Sequence, residues 1–153
     1  MYYARLPSPQ PRRGKRAALT ALIAIVLAAT LSPATAVTSP ERKLHGMIVR
    51  AREAKGVSSL ALSSKLSRRA HRHSADMARS GRIFHSCLDC RRGSGSASLG
   101  ENVGVGGSLD AVHDALMKSS SHRDNILKSA YERVGVGVVK QGGRVWVTEI
   151  FSG

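Results

Sequence analysis

Gly100-Glu101-Asn102-Val103-Gly104 places a carboxylate and an amide side by side between two glycines, and the other motifs of the chain are arranged around this stretch. His85 precedes Glu101 by 16 residues and His122 follows it by 21. One carboxylate with two imidazoles is the minimal set for a divalent metal or for acid–base chemistry. The glycines allow a sharp turn or the close approach of a neighbouring segment. The alternative is that Glu101 only caps a short turn.

The first 36 residues have the pattern of a secretory signal peptide. Arg12-Arg13-Gly14-Lys15-Arg16 precedes a 15-residue apolar run, Ala17 to Leu31, and Ala34-Thr35-Ala36 is a small-x-small cleavage site. The run is shorter than the roughly 18 residues expected of a spanning helix. We therefore expect cleavage, with residues 37–153 forming one secreted domain without a transmembrane span. An uncleaved anchor is the alternative, and the arginine pair leaves Sec and twin-arginine export both open.

The chain is strongly basic, with 24 Lys and Arg against 10 acidic residues and a net charge of +14. Such a charge is typical of proteins that meet anionic partners. Because export separates the domain from nucleic acid, we expect an anionic cell-wall polymer, lipid or glycan instead. A solvated basic surface with no partner is the alternative.

Helical periodicity predicts two helices before His85. The first begins near Ser39-Pro40-Glu41 and ends by Gly56, and the second follows the N-cap Ser63 and ends at Gly81. Their inner faces would carry Leu44, Met47, Ile48 and Ala51 in the first helix, and Leu66, Ala70, His73 and Met77 in the second. We interpret His73 as a hydrogen-bonded core histidine. The second helix would place most of Lys65, Arg68, Arg69, Arg72 and Arg79 outside.

Two cysteines follow, Cys87 and Cys90. In a secreted domain they favour a disulfide, which at this spacing needs a turn. A structural zinc held by His85, Cys87 and Cys90 is the alternative, although it requires a fourth ligand.

The second half of the chain predicts two short helices and a β-hairpin. Ser108 caps a third helix, and Ser121-His122-Arg123-Asp124 has the form of a capping box that opens a fourth. His122 would then lie in the first turn, where the helix dipole disfavours its protonation. The valines and glycines from Val134 to Val138 form a strand, Gln141-Gly142-Gly143-Arg144 a turn, and Val145 to Phe151 the return strand.

The order of these motifs resembles the CAP superfamily of cysteine-rich secretory, antigen 5 and pathogenesis-related proteins, and most of all its short bacterial secreted branch. The resemblance extends from about Lys43 to Phe151. It implies an α+β fold, an α-β-α sandwich with a small antiparallel sheet between helical layers. It also implies a cleft in which two His and two acidic residues can hold a divalent cation such as zinc, and His85, Glu101 and His122 match three of them.

The chain departs from the family pattern at the second acid. Leu116 stands where the family has Trp, and Ser119 where the acid would fall, so at most three ligands remain. His113 or Asp114 could compensate, but their helical face argues against it. Asn102, Arg123 and Asn125 match the family motifs, and we interpret Asn125 as a structural amide.

Three functions are compatible with this pattern. We favour a non-catalytic binding module, because no nucleophile with its own base is evident and Glu101 cannot be both ligand and base. A metal-dependent hydrolase with His85, Glu101 and His122 as catalytic candidates is the first alternative. A purely structural His/Glu cluster is the second.

Overall fold

The computed structural model describes residues 37–87 and 98–153, and these contain four helices and four strands. In chain order they are α1 (Ser39–Glu53), β1 (Ala61–Leu62), α2 (Ser64–Ser80), β2 (Leu99–Gly106), α3 (Leu109–Lys118), α4 (Ser120–Leu127), β3 (Arg133–Gln141) and β4 (Arg144–Ser152). The predicted signal peptide, residues 1–36, and Cys90 of the predicted disulfide lie outside the described residues. Within those residues, no helix is long and apolar enough to cross a membrane.

The strands form one sheet in the order β1-β3-β4-β2. β4 pairs antiparallel with both β2 and β3, which confirms the predicted antiparallel sheet, while β1 adds a two-residue parallel edge that the sequence did not indicate. Helix α2 covers one face, and α1, α3 and α4 cover the other. The predicted α-β-α sandwich is therefore confirmed, with β2 as its second edge strand.

The two predicted N-terminal helices are confirmed, together with their ends. Thr38 and Glu41 form a reciprocal capping box at the start of α1. The Ser63 side chain accepts from the backbone N–H of Leu66 at the start of α2. Gly81 ends α2 with a φ of 65°, in the left-handed region that favours glycine.

Glycines bring α2 against the sheet. A β-carbon on Gly135 would collide with Leu66, and one on Gly137 would collide with the backbone of Ala70, so α2 packs directly on the β3 backbone. The β3–β4 turn uses Gly142 and Gly143 at φ of 60° and 69°, as a tight hairpin requires. The predicted hairpin is confirmed.

One local expectation was correct in part and another was wrong. Gly100 to Gly104 form no turn but lie within the extended strand β2, whereas the other role expected of the glycines, the close approach of a neighbouring segment, is confirmed by the contacts of Tyr131 and Val112. α4 begins at Ser120 rather than with a capping box at Ser121 to Asp124, and its N-cap Ser119 makes no capping hydrogen bond. The Ser119 hydroxyl is instead hydrogen-bonded to the imidazole of His122, at 2.8 Å.

Candidate functional site

The Glu101 carboxylate is buried and held by a neighbouring loop. Its side chain is 4 % exposed. Oε1 accepts from the backbone N–H of Ser86 at 2.7 Å and lies 2.9 Å from Nδ1 of His85, while Oε2 accepts from the Ser86 hydroxyl. Both oxygens are therefore engaged, and Oε1 fixes the orientation of the His85 ring.

The loop that carries His85 and Ser86, residues 82–87, is also attached to helix α2. Nε2 of His73 lies 2.8 Å from the carbonyl oxygen of Phe84, and the two rings meet edge to face at 5.0 Å. Arg69 donates to the carbonyl oxygen of Cys87 at 2.7 Å. Since Phe84 lies beside His73 and Cys87 beside Arg69, the loop runs back along α2 and brings His85 to Glu101. The prediction that His73 is a hydrogen-bonded core histidine is confirmed.

His122 approaches the same place from α4. Its Nδ1 bonds the Ser119 hydroxyl at 2.8 Å, so the serine at the position of the missing family acid orients this imidazole. The pKa of His122 is lowered from its ordinary value by burial and, to a lesser extent, by the charge of His85. His122 is therefore close enough to His85 to be affected by its charge.

Asn102 faces the opposite side of β2 from Glu101, because successive side chains of a strand alternate. Its amide nitrogen donates to the carbonyl oxygen of His122 and to Oε2 of Glu149, each at 3.0 Å. Its amide oxygen accepts from Asn125 at 2.9 Å. Adjacent residues thus serve two networks: Glu101 holds the His85 loop, and Asn102 ties α4 to the sheet.

Glu149 is fully buried behind this network. Burial raises its pKa to about 7, against the opposing effect of the hydrogen bond from Asn102. Its Oε1 has no hydrogen-bond partner in the described chain. Burial of a carboxyl group without a full set of partners favours its neutral, protonated form over its charged form.

The donor set fits a metal only in part. Within residues 37–87 and 98–153, no group of three His, Cys, Asp or Glu side chains could hold a metal ion. His85 and His122 each use Nδ1 on a local partner, and Nε2 of neither ring has a hydrogen bond to a described residue. Metal-binding histidines commonly donate their other nitrogen to a carboxylate in this way. Both Nε2 atoms are thus without a described partner, and Glu101 lies behind one ring, while the three-ligand set stays a prediction.

The interactions of two further candidates, His113 and Arg123, are with residues outside the Glu101 cluster. Burial lowers the pKa of His113, and the charges that also act on it come from Asp114, Arg50 and Asp110, not from the Glu101 cluster. Arg123 donates to the carbonyl oxygen of Met117 at 3.4 Å and so connects α4 to α3. The alternative zinc set with Cys90 falls partly outside the described residues. A cavity of about 670 Å³ lies at the far end of β2, and no predicted site residue lines it.

Fold and site together define a class of α-β-α sandwich with a histidine-flanked glutamate on its edge strand. The chain belongs to the CAP, or cysteine-rich secretory protein, family, whose model matches residues 46–151. No curated protein sequence matches it.

Solved structures share the fold at low sequence identity. An outer surface protein from Borrelia burgdorferi is 15 % identical with a TM-score of 0.67, over 76 % of this chain and 93 % of that one. An extracellular protein containing an SCP domain from Bacillus anthracis is 22 % identical with a TM-score of 0.64, over 74 % of this chain and 40 % of that one. NaASP2, solved with Zn²⁺, is 10 % identical with a TM-score of 0.56, over 76 % of this chain and 81 % of that one. At these identities the likeness establishes the fold.

Three residues of the site were not predicted: Ser86, Ser119 as a partner of His122, and Glu149. Nothing local distinguishes Ser86, because its partner is 15 residues away. Glu149 did carry a sequence signal: it follows Val145 and Val147 at strand spacing, so it falls on a buried face.

Proposed function

We propose that this chain is a secreted, non-catalytic binding module of the cell envelope or extracellular space, and that the Glu101 cluster together with His122 forms its ligand-binding cleft. The observation that supports this proposal is the state of Glu101. Its two oxygens accept from Ser86 and face His85, and its side chain is 4 % exposed. A carboxylate held in this way is poorly placed to take a proton from a substrate or water.

A divalent cation such as zinc is part of this proposal. His85 and His122 would hold it through Nε2, and Glu101 and Ser119 would orient the two rings from behind. A cation there would give the cleft a Lewis-acidic point for an anionic or carbonyl-bearing ligand. The ligand we propose is an anionic wall polymer, lipid or glycan, in keeping with 19 Lys and Arg against 10 acidic residues in residues 37–153.

The metal-dependent hydrolase is the second candidate, because the same two imidazoles leave ligand positions open. The cluster lacks the chain of hydrogen bonds from serine to histidine to carboxylate that a serine hydrolase uses, because the Ser86 hydroxyl donates to Glu101 and not to an imidazole. A hydrolase at this site would have to free Glu101 from Ser86 during its reaction.

Zinc titration of the exported protein by calorimetry tests these possibilities. The variants are His85→Ala with His122→Ala, Glu101→Gln, and a control with His45→Ala and His71→Ala, which removes two imidazoles outside the cluster. We expect saturable binding that is lost in the first variant and kept in the control. Glu101→Gln should weaken binding by about 10- to 100-fold if Glu101 orients His85.

The other functions give different results in the same series. A hydrolase would turn over ester or amide substrates with zinc bound, and Glu101→Gln would abolish turnover. A purely structural cluster would bind no zinc when folded, and its variants would only lower the melting temperature. Either result would overturn the binding-module proposal in its metal-dependent form.

A further inference from the structure

Helix α2 carries a continuous stripe of positive charge on its outer face. At 100° per residue, Lys65, Arg68, Arg69, Arg72, Asp76 and Arg79 fall within an arc of about 100°. The stripe is roughly 21 Å long at 1.5 Å per residue. It lies opposite the side of α2 that buries Ala70, Ser74 and Met77 against the sheet.

Little of this charge is neutralised within the described chain. Asp76 is the single acid of the stripe and pairs with Arg79, while Arg69 donates to the carbonyl oxygen of Cys87. The side chains of Lys65, Arg68 and Arg72 form no ion pair with a described residue. Cations left in this state favour an anionic partner.

Two exposed apolar side chains lie in the loop that follows α2. Ile83 is 50 % exposed and Phe84 41 %, and they are the exposed large hydrophobic residues of the described chain. Both belong to the loop that runs back along α2, where His73 holds the Phe84 carbonyl at 2.8 Å. The exposed Arg82 precedes them directly. The loop that carries both apolar side chains and Arg82 is thus attached to α2 at His73 and at Arg69, one of the five cations of the stripe.

We propose that this surface, which we call the α2 face (Lys65, Arg68, Arg69, Arg72, Arg79, Arg82, Ile83 and Phe84), docks on an anionic lipid bilayer. Basic residues near such a surface are attracted by its negative potential, and Ile83 and Phe84 would enter the boundary between headgroups and acyl chains. A purely polar polyanion would use the cations but would leave both apolar side chains in water. The apolar pair is therefore what favours a bilayer over a wall polymer.

Docking on the α2 face does not depend on a metal in the cleft. His85 lies in the same loop, with its side chain 61 % exposed, so a docked domain would hold the cleft beside the lipid headgroups. The α2 face would then localise the domain to the membrane surface, and the cleft would select the ligand that binds there.

Vesicle co-sedimentation with EDTA present tests the proposal. The exported protein is mixed with phosphatidylcholine vesicles, with or without about 30 mol% phosphatidylglycerol, at 0.1 M and 1 M salt. We expect binding only with phosphatidylglycerol, and its loss at 1 M salt. Arg68→Ser with Arg72→Ser should lower the partition coefficient about 25-fold, at roughly fivefold for each cation.

A matched control removes the same charge elsewhere. Lys140→Ser with Arg144→Ser lies at the β3–β4 turn and should change partitioning by less than about twofold, because screening confines the effect to charges near the membrane. Ile83→Ser with Phe84→Ser keeps every charge and should lower partitioning by about fivefold or more. Circular dichroism checks the fold of each variant.

Three outcomes would overturn the proposal. They are no binding to anionic vesicles, equal losses in the two double charge variants, and no loss with Ile83→Ser and Phe84→Ser. If soluble polyphosphate bound through Arg68 and Arg72 while vesicles did not, the partner would be a polymer. Because EDTA removes any divalent cation, these results are independent of the zinc titration of the cleft.

Discussion

The amide nitrogen of Asn102 donates a hydrogen bond to Oε2 of Glu149 at 3.0 Å, across the paired strands β2 and β4. The same nitrogen also donates to the backbone of His122. The side chain of Asn102 therefore connects the fully buried carboxylate of Glu149 to the backbone of His122, one of the two site histidines. The other oxygen of Glu149 has no partner in the described chain, so ionisation of this group is not compensated.

Glu149→Gln should change how stability depends on pH. Burial raises the pKa of Glu149 from 4.5 to about 7, so between these values the folded protein binds more protons than the unfolded chain. The contribution of Glu149 to the free energy of unfolding therefore falls as the pH rises from 4.5 to about 7. The cost of the charge reaches on the order of 3 kcal/mol above pH 7. The variant lacks this term, so relative to wild type it should gain about 2 to 3 kcal/mol between pH 5 and 8.5.

Urea unfolding of both proteins at these two pH values measures the change. Burial lowers the pKa of His113 and His122, and this acts in the opposite direction, but it is common to both proteins and cancels in the comparison. A stability difference that stays constant with pH would show that Glu149 does not titrate in this range.

Asn102→Ala should destabilise the attachment of α4. It removes the bond to the His122 carbonyl oxygen and the donor to Glu149, whose carboxylate would then have no hydrogen-bond partner in the described chain. We expect a loss of about 3 kcal/mol in the free energy of unfolding, with faster hydrogen exchange in α4. Asn125→Ala removes, from a half-buried position, the donor to Asn102 and a long 3.5 Å bond to the Glu101 carbonyl oxygen, and it should cost about 1 kcal/mol. If both variants lost the same free energy of unfolding, Asn102 would contribute no more than Asn125 to the attachment of α4.

His85→Ala should raise the pKa of His122. Removing the neighbouring imidazole removes its charge, while burial remains and keeps the pKa below the ordinary value of 6.5. The measurement is an NMR titration of the His122 ring proton in the metal-free protein. His45→Ala serves as the control and should leave this titration unchanged. No shift in His85→Ala would mean that the two imidazoles do not share a site.

Gly137→Ala should be strongly destabilising, because its β-carbon would collide with the backbone of Ala70 in α2. Backbone cannot rotate away, so helix and sheet must separate, at a cost of about 3 kcal/mol or more. Gly107→Ala is the matched control: no atom lies within 4 Å of its β-carbon, and it should stay within about 1 kcal/mol of wild type. Thermal unfolding compares the two.

Much of the fold was predictable because its determinants are local. Pro40 and Glu41 indicate the start of α1, Ser63 and Gly81 indicate the ends of α2, and Gly142-Gly143 indicates the hairpin. Strand β2 was missed, since Gly100 and Gly104 weaken any strand pattern. They are glycines because Tyr131 and Val112 pack against their backbone, and that close approach is a tertiary property.

The sequence by itself determined the helices, the hairpin and the presence of Glu101 between two histidines. Only the tertiary structure decided what those groups do. Strand alternation turned Glu101 toward Ser86 and Asn102 toward α4, and cross-strand register placed Glu149 behind Asn102. The physical reason is the sequence separation of the interacting residues, because caps and turns are set by residues three or four apart. The partners of a buried carboxylate come from wherever the packed chain brings a donor.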